Sequence, residues 1–242
     1  MTRTTWLGHS TLLLELGDVR LVTDPVVRPR VVHLRRHGPS PAVPRGLDAI
    51  LLSHLHYDHL DLPSLRALGT DTRVLCPAGA GRFLERAGFP AEELAPGDST
   101  DVGGVRVEAT PAEHHGGRRP LGPRGEAIGF LAEGAHRVYF AGDTDLFTGM
   151  AELGPVELAL LPVAGWAPRL GPGHLDAARA AEAAARVRPR IAVPIHWGTL
   201  YPGGRRRGGW FRDPPHQFAA QVAELAPEVE VRLLSPGDSL EL

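Results

Sequence analysis

The chain opens with short segments in which apolar residues cluster or alternate, Thr4 to Leu7, Thr11 to Leu16 and Val19 to Thr23, broken at Gly8 and at Gly17-Asp18. That rhythm predicts a β-meander. From Pro25 to Gly46 prolines and arginines interrupt any period, which predicts a long loop. The apolar run from Asp48 to Leu52 reads as a strand ending just before a histidine cluster, and Asp61 is placed to cap a helix reaching Leu68. Strands are then expected at Val74 to Leu75, Val105 to Thr110, Ile128 to Ala132, Arg137 to Ala141, Leu158 to Leu161, Ile191 to Pro194 and Val229 to Leu234. Helices are expected at Gly79 to Ala87, Leu175 to Val187 and Pro214 to Leu225. Strands first, then strands and helices mixed in two comparable halves, predict an α/β fold: an αββα sandwich of two facing mixed β-sheets with helices outside.

At 242 residues the chain can bury a substantial core, and one domain spanning residues 1–242 is the expectation. A formal charge of −2 gives no global pull toward nucleic acid or anionic membrane, so no nucleic-acid partner is expected. Every basic residue is arginine, and asparagine is absent, which excludes lysine Schiff-base chemistry and N-glycosylation together. The single Cys76 cannot form an internal disulfide, and Met1 to Gly17 lacks a charged and then apolar leader, so a cytoplasmic protein is expected. No apolar run approaches the roughly 18 residues that span a bilayer.

Candidate chemistry lies in the histidines. Within Ser53-His54-Leu55-His56-Tyr57-Asp58-His59, His54 and His56 fall on one side of an extended segment, while Asp58 and His59 lie where the chain turns into the helix. Two groups of ligands can therefore face two neighbouring ions. No packing or turn rule asks for such a His-x-His-x-Asp-His string, and imidazole with carboxylate suits zinc, iron or manganese.

The string resembles the signature of the metallo-β-lactamase fold superfamily. Thr110-Pro-Ala-Glu-His114, Phe140-Ala-Gly-Asp143-Thr and Pro194-Ile-His196-Trp-Gly-Thr resemble its later motifs, in order. Trp6-Leu-Gly-His-Ser and Thr23-Asp24-Pro25 resemble the branch that contains L-ascorbate-6-phosphate lactonase and N-acyl-phosphatidylethanolamine phospholipase D. The resemblance implies two divalent ions, zinc first with Mn2+ or Fe2+ as alternatives. His54, His56 and His114 would hold one, Asp58, His59 and His196 the other, and Asp143 with a hydroxide would bridge them. His115 is the competitor for the place of His114; the motif spacing favours His114. The β-lactamases of the best-known class in this superfamily use a cysteine in the second metal site, whereas this chain has Asp143 in the fourth motif and its only cysteine is Cys76.

Two such ions activate water and stabilise an oxyanion, and the formal charges of ions, Asp58, Asp143 and hydroxide leave about +1. The implied reaction is hydrolysis of a small anionic ester, a phosphodiester or another phosphate-bearing substrate. A lactonase acting on a cyclic ester is the alternative, followed by an iron-dependent oxidative enzyme and a non-catalytic metal-binding protein. Asp58 and His174 are the catalytic candidates; His174 in Gly171-Pro-Gly-His174-Leu-Asp176 either serves the substrate or merely precedes an Asp176 helix cap. Asp24 and His9 could support the site, and Asp61 reads as a cap. Arginine-bearing loops at Arg28 to Arg45, Arg118 to Arg124, and Arg205-Arg206-Arg207 with Arg212 could clamp anions if they ring the mouth, with Trp210-Phe211 as an apolar lip; a solvated surface is the other reading.

Overall fold

The computed structural model describes residues 1–118, 122–165, 170–204 and 207–242. Among these, strands form two seven-stranded sheets and one of three strands. The first sheet runs in spatial order Ser239–Glu241, Thr2–Gly8, Thr11–Leu16, Val19–Thr23, Ala49–Leu51, Arg73–Pro77 and Ala91–Leu94. The second runs Glu230–Val231, Ile191–Ile195, Leu158–Pro162, Arg137–Phe140, Ile128–Glu133, Val105–Pro111 and Ser99–Val102. Both mix parallel and antiparallel pairs.

The alternation of side chains along each strand builds the layers. Leu21, Ala49, Leu51 and Leu75 of the first sheet share one core with Val107, Phe130, Phe140, Leu160 and Val193 of the second, so the sheets face each other. The intervening residues Val22, Ile50, Leu52 and Val74 point outward and are covered by Leu65, Leu68 and Leu84 of the helices Leu62–Leu68 and Gly81–Arg86. On the far side, Tyr139, Ala159 and Ala192 meet the helices Ala177–Val187 and Pro214–Leu225 through Ala180, Ala181, Ala184 and Phe218. The αββα sandwich follows. Strands in the middle of the second sheet are buried on both faces, which is why Leu158–Pro162 and Ile191–Ile195 read as unbroken apolar runs.

Asp61 caps the first helix by accepting from Ser64 N at 3.0 Å, and Asp176 caps the helix Ala177–Val187 by accepting from Arg179 N at 2.9 Å. The segment from Pro25 to Gly46 differs from the expected plain loop. Arg30–Val31 and Leu34–Arg36 form a hairpin that pairs with Leu200–Pro202. Strands of two or three residues are too short to show a period, and their partner is remote in sequence.

Parallel register brings the carboxyl ends of several strands to one edge. Thr23 lies opposite Leu51 in the first sheet, and Phe140, Leu160 and the Pro162–Ile195 pair align in the second. The loops that leave these ends carry Asp24, the 53–59 string, Asp143 and His196.

Candidate metal centre

All seven residues expected to bind metal converge at that edge. His56 Nδ1 stands 3.0 Å from His54 Nε2 and 3.2 Å from His114 Nε2. Asp58 Oδ2 stands 3.5 Å from both His59 Nε2 and His196 Nε2. Asp143 joins the second group, with Oδ2 at 3.4 Å from His59 Nε2 and Oδ1 at 3.4 Å from His196 Nε2, and it also neighbours His114 and His174. Ligands at about 2.0–2.1 Å from a tetrahedral ion are separated by about 3.3 Å, so these spacings suit atoms that share an ion.

The imidazoles are held by their other nitrogens. His114 Nδ1 donates to Gly173 O at 2.7 Å and His196 Nδ1 to Ala164 O at 2.8 Å. Asp24 accepts from His59 Nδ1 at 2.6 Å, from Ser53 Oγ at 2.6 Å and from Ser53 N at 2.7 Å. Because the Ser53 hydroxyl is committed to Asp24, it accepts from His54 Nδ1 at 2.9 Å. Each of these contacts fixes a tautomer whose Nε2 lone pair faces inward. Gly173 makes its carbonyl contact at φ 84°, where a Cβ would lie 3.3 Å from His114 Nδ1. Three non-glycine residues with left-handed backbone, His9, Asp24 and His196, belong to this centre.

Electrostatics separate the two groups. Burial, reinforced by neighbouring imidazoles, holds His54 and His56 below the usual histidine range and His114 down at about 4, which leaves lone pairs free at neutral pH. In the other group burial opposes every charge, but mutual attraction prevails. Asp58 and Asp143 are held well below the carboxylate range by His59 and His196, while Asp143 and Asp58 raise His59 and His196. Ionised carboxylates thus draw positive charge onto the adjacent rings. Among the described residues His59 Nε2 and Asp143 Oδ1 are buried without a hydrogen-bond partner. Such orphaned atoms, at 3.4–3.5 Å from further donors of the same kind, fit divalent cations.

His174 Nε2 lies 3.9 Å from Asp143 Oδ2, and its ring centroid is 4.7 Å from that of His114. It is therefore beside the centre while Asp176 caps the following helix. His115 is exposed and outside the ligand groups, in keeping with the choice of His114. His9 and Asp24 both reach the centre, which the sequence left open. Ser53 has no distinguishing signal in the sequence beyond its position directly before His54. Asp145, which no sequence motif marks, forms an ion pair with Arg179 and accepts from Leu146 N at 2.6 Å, tying the loop after Asp143 to the helix Ala177–Val187.

Several arginines of the basic loops are bound to the scaffold rather than presented to a ligand. Arg28 makes two 2.8 Å bonds to Asp61. Arg36 is buried, donating to the carbonyls of Leu7 and Val26, and burial pulls it down to about 10. Arg118 donates to Leu55 O at 2.5 Å and to Leu60 O, with its guanidinium 3.9 Å from the Tyr57 ring centroid. A buried guanidinium needs many acceptors, and backbone carbonyls supply them. Arg207 contacts His37; Arg205 and Arg206 lie outside the described residues. Phe211 is 2% exposed, so it is core rather than an apolar lip.

A model of the Beta-lactamase superfamily domain matches residues 19–197. The chain belongs to that superfamily. An uncharacterized protein of Mycobacterium tuberculosis is 34% identical, over 93% of this chain and 63% of its own length. N-acyl-phosphatidylethanolamine-hydrolyzing phospholipase D 1 of Caenorhabditis elegans is 32% identical, over 83% of this chain and 64% of its own. The chain thus spans less than two thirds of both relatives, whereas a metal-dependent hydrolase of Opitutus terrae, 31% identical, is matched over 99% of this chain and all of its own length (100%). Among solved structures, a metallo hydrolase of Ignicoccus hospitalis shares the superfamily fold at a TM-score of 0.74, 23% identity, and coverage of 100% and 99%. No helix among the described residues is long and apolar enough to cross a membrane.

Proposed function

We propose that the chain is a metal-dependent hydrolase, one domain over residues 1–242, that uses two divalent ions, zinc in the first instance, to cleave a small anionic ester, a phosphodiester or another phosphate-bearing substrate. His54, His56 and His114 would hold one ion, Asp58, His59 and His196 the other, and Asp143 both. The observation that carries this reading is the pair of adjoining ligand groups at 3.0–3.5 Å spacing, with imidazole protons tied outward. Ions bound there supply an activated water and polarise the ester. The resemblance to a phospholipase D from Caenorhabditis elegans supports the phosphodiester as substrate class.

The chain's own residues prepare the rest. Asp24 and Ser53 hold His59 and His54 in ligand tautomers, and Asp58 and Asp143 bring the negative charge that attracts cations. His174, with a side chain 30% exposed, lies between the buried centre and solvent, placed to steady an anionic oxygen or deliver a proton to the leaving group.

The test is elemental analysis of protein purified without added metal, then hydrolysis of phosphodiester, phosphomonoester and lactone panels with zinc and manganese. Two zinc ions per chain and fastest turnover of a phosphodiester are expected. A lactone preference would replace the substrate class and leave the metal reading standing. A single iron without hydrolysis would overturn both.

A further inference from the structure

His9 is a core histidine at a turn, and its placement asks for more than packing. Thr2–Gly8 and Thr11–Leu16 pair through a two-residue turn of His9 and Ser10, with the register shifting before Gly8. Gly8 takes φ 105°, and a Cβ there would stand 2.7 Å from the Thr199 methyl. His9 follows at φ 57° and is 1% exposed. Its backbone is fastened on both sides: His9 N donates to Thr199 Oγ1 at 2.9 Å, and His9 O accepts from His196 N at 3.0 Å and from Trp6 Nε1 at 2.9 Å. The turn is therefore locked to the loop that carries His196, and the ring packs on His196 with centroids 3.9 Å apart.

The ring meets Asp58, with Nε2 3.1 Å from Oδ2. An ionised carboxylate only accepts, so Nε2 carries the proton in this contact. We propose that His9 is a positioning residue: it donates to Asp58 Oδ2 and fixes that carboxylate in the rotamer that faces His59 and His196. This rests on the reading of Asp58, His59 and His196 as ligands of one ion. A carboxylate has a broad two-fold torsion at its terminal bond, and a second anchor removes that freedom before a cation arrives. His9 Nε2 meets Asp58 of the second group, whereas His54 and His114 are joined through His56 Nδ1, so the effect is expected at one metal position.

The test uses the metal-free full chain titrated with Zn2+ against a chromophoric chelator, and with Co2+ followed by visible absorption. Wild type should show two binding events per chain. His9→Asn suits the left-handed backbone, but its amide is too short to reach Asp58, whereas His9→Gln places a donor near Nε2. His9→Asn should weaken one event by about 10–100-fold and leave the other unchanged, and His9→Gln should recover most of the loss. Thermal unfolding of the metal-free variants checks that both fold. Unchanged affinities in His9→Asn, equal weakening of both events, or no rescue by glutamine would overturn the positioning role. Fewer than two events in the wild type would instead overturn the two-ion reading.

Discussion

Replacing Asp24 by asparagine preserves its volume and suits its backbone, since φ 32° lies in a region that asparagine enters readily. The change is one of hydrogen-bond polarity. Asp24 Oδ1 accepts from Ser53 N, while Oδ2 accepts from Ser53 Oγ and His59 Nδ1. An amide that keeps its oxygen toward Ser53 N turns its NH2 toward the other two. His59 can then satisfy the contact only by accepting at Nδ1, which moves its proton to Nε2 and blocks the ligand lone pair. Ser53, now receiving a hydrogen bond, turns its own proton toward His54 Nδ1 and imposes the same wrong tautomer there. Losing the partner of a ligand histidine costs about 10–100-fold in metal affinity, or about 1.4–2.8 kcal/mol at 1.4 kcal/mol per decade. Losing a hydrogen bond to a charged group costs about 1.5–3 kcal/mol, which agrees. Chelator competition with Zn2+ should show both ions of Asp24→Asn weakened, the His59 side at least as much as the His54 side. Two ions bound within threefold of wild type would refute the tautomer argument.

Asp143→Ala removes the carboxylate placed to serve both groups and should abolish nearly all hydrolysis and lower metal content, measured by elemental analysis after dialysis; full occupancy with unchanged turnover would reject the bridging role. His174→Ala should lower kcat by about 100-fold or more with metal content unchanged, because it lies beside the ligand groups and outside the proposed ligand set. For the metal-free protein, folding holds His9 down at about 3 and His114 at about 4 through burial, with His54 and His56 also lowered. Below pH 6.5 the unfolded chain takes up protons there that the folded chain refuses, so stability should fall as pH drops from 6.5 to 4. His59 and His196 are shifted upward, and their contribution is already complete in that window. A flat or rising Tm in calorimetry over this range would contradict the assignment.

Much of this molecule was legible because its signals are local. The Asp61 and Asp176 caps, the Pro214–Leu225 helix and the buried apolar strands each announce themselves within a few residues. The convergence of the proposed ligands was legible because their residue types have no packing reason to recur at strand ends. Part of what escaped depends on partners far apart in the chain. Ser239–Glu241 completes the first sheet by pairing with Thr2–Gly8, and Leu200–Pro202 pairs with Leu34–Arg36; neither short segment has a pattern of its own. The arginines escaped for the same reason, since a guanidinium on Leu55 O or Leu7 O looks in sequence like one facing solvent. His9 could be noticed but not placed, because only the docking of its turn on Thr199 and His196 brings its ring to Asp58.

Left-handed backbone at His9, Asp24 and His196 concentrates conformational cost where the loops meet, at about 1 kcal/mol or more for each such residue. The strand ends are anchored in the shared core, so local opening should begin in the loops while both sheets hold. Amide hydrogen exchange in the metal-free chain should accordingly be fast around residues 8–10, 53–59 and 196–199 and slow in the strands behind them. Metal loading at the proposed ligands would then act as the final step of folding for one edge of an otherwise formed molecule.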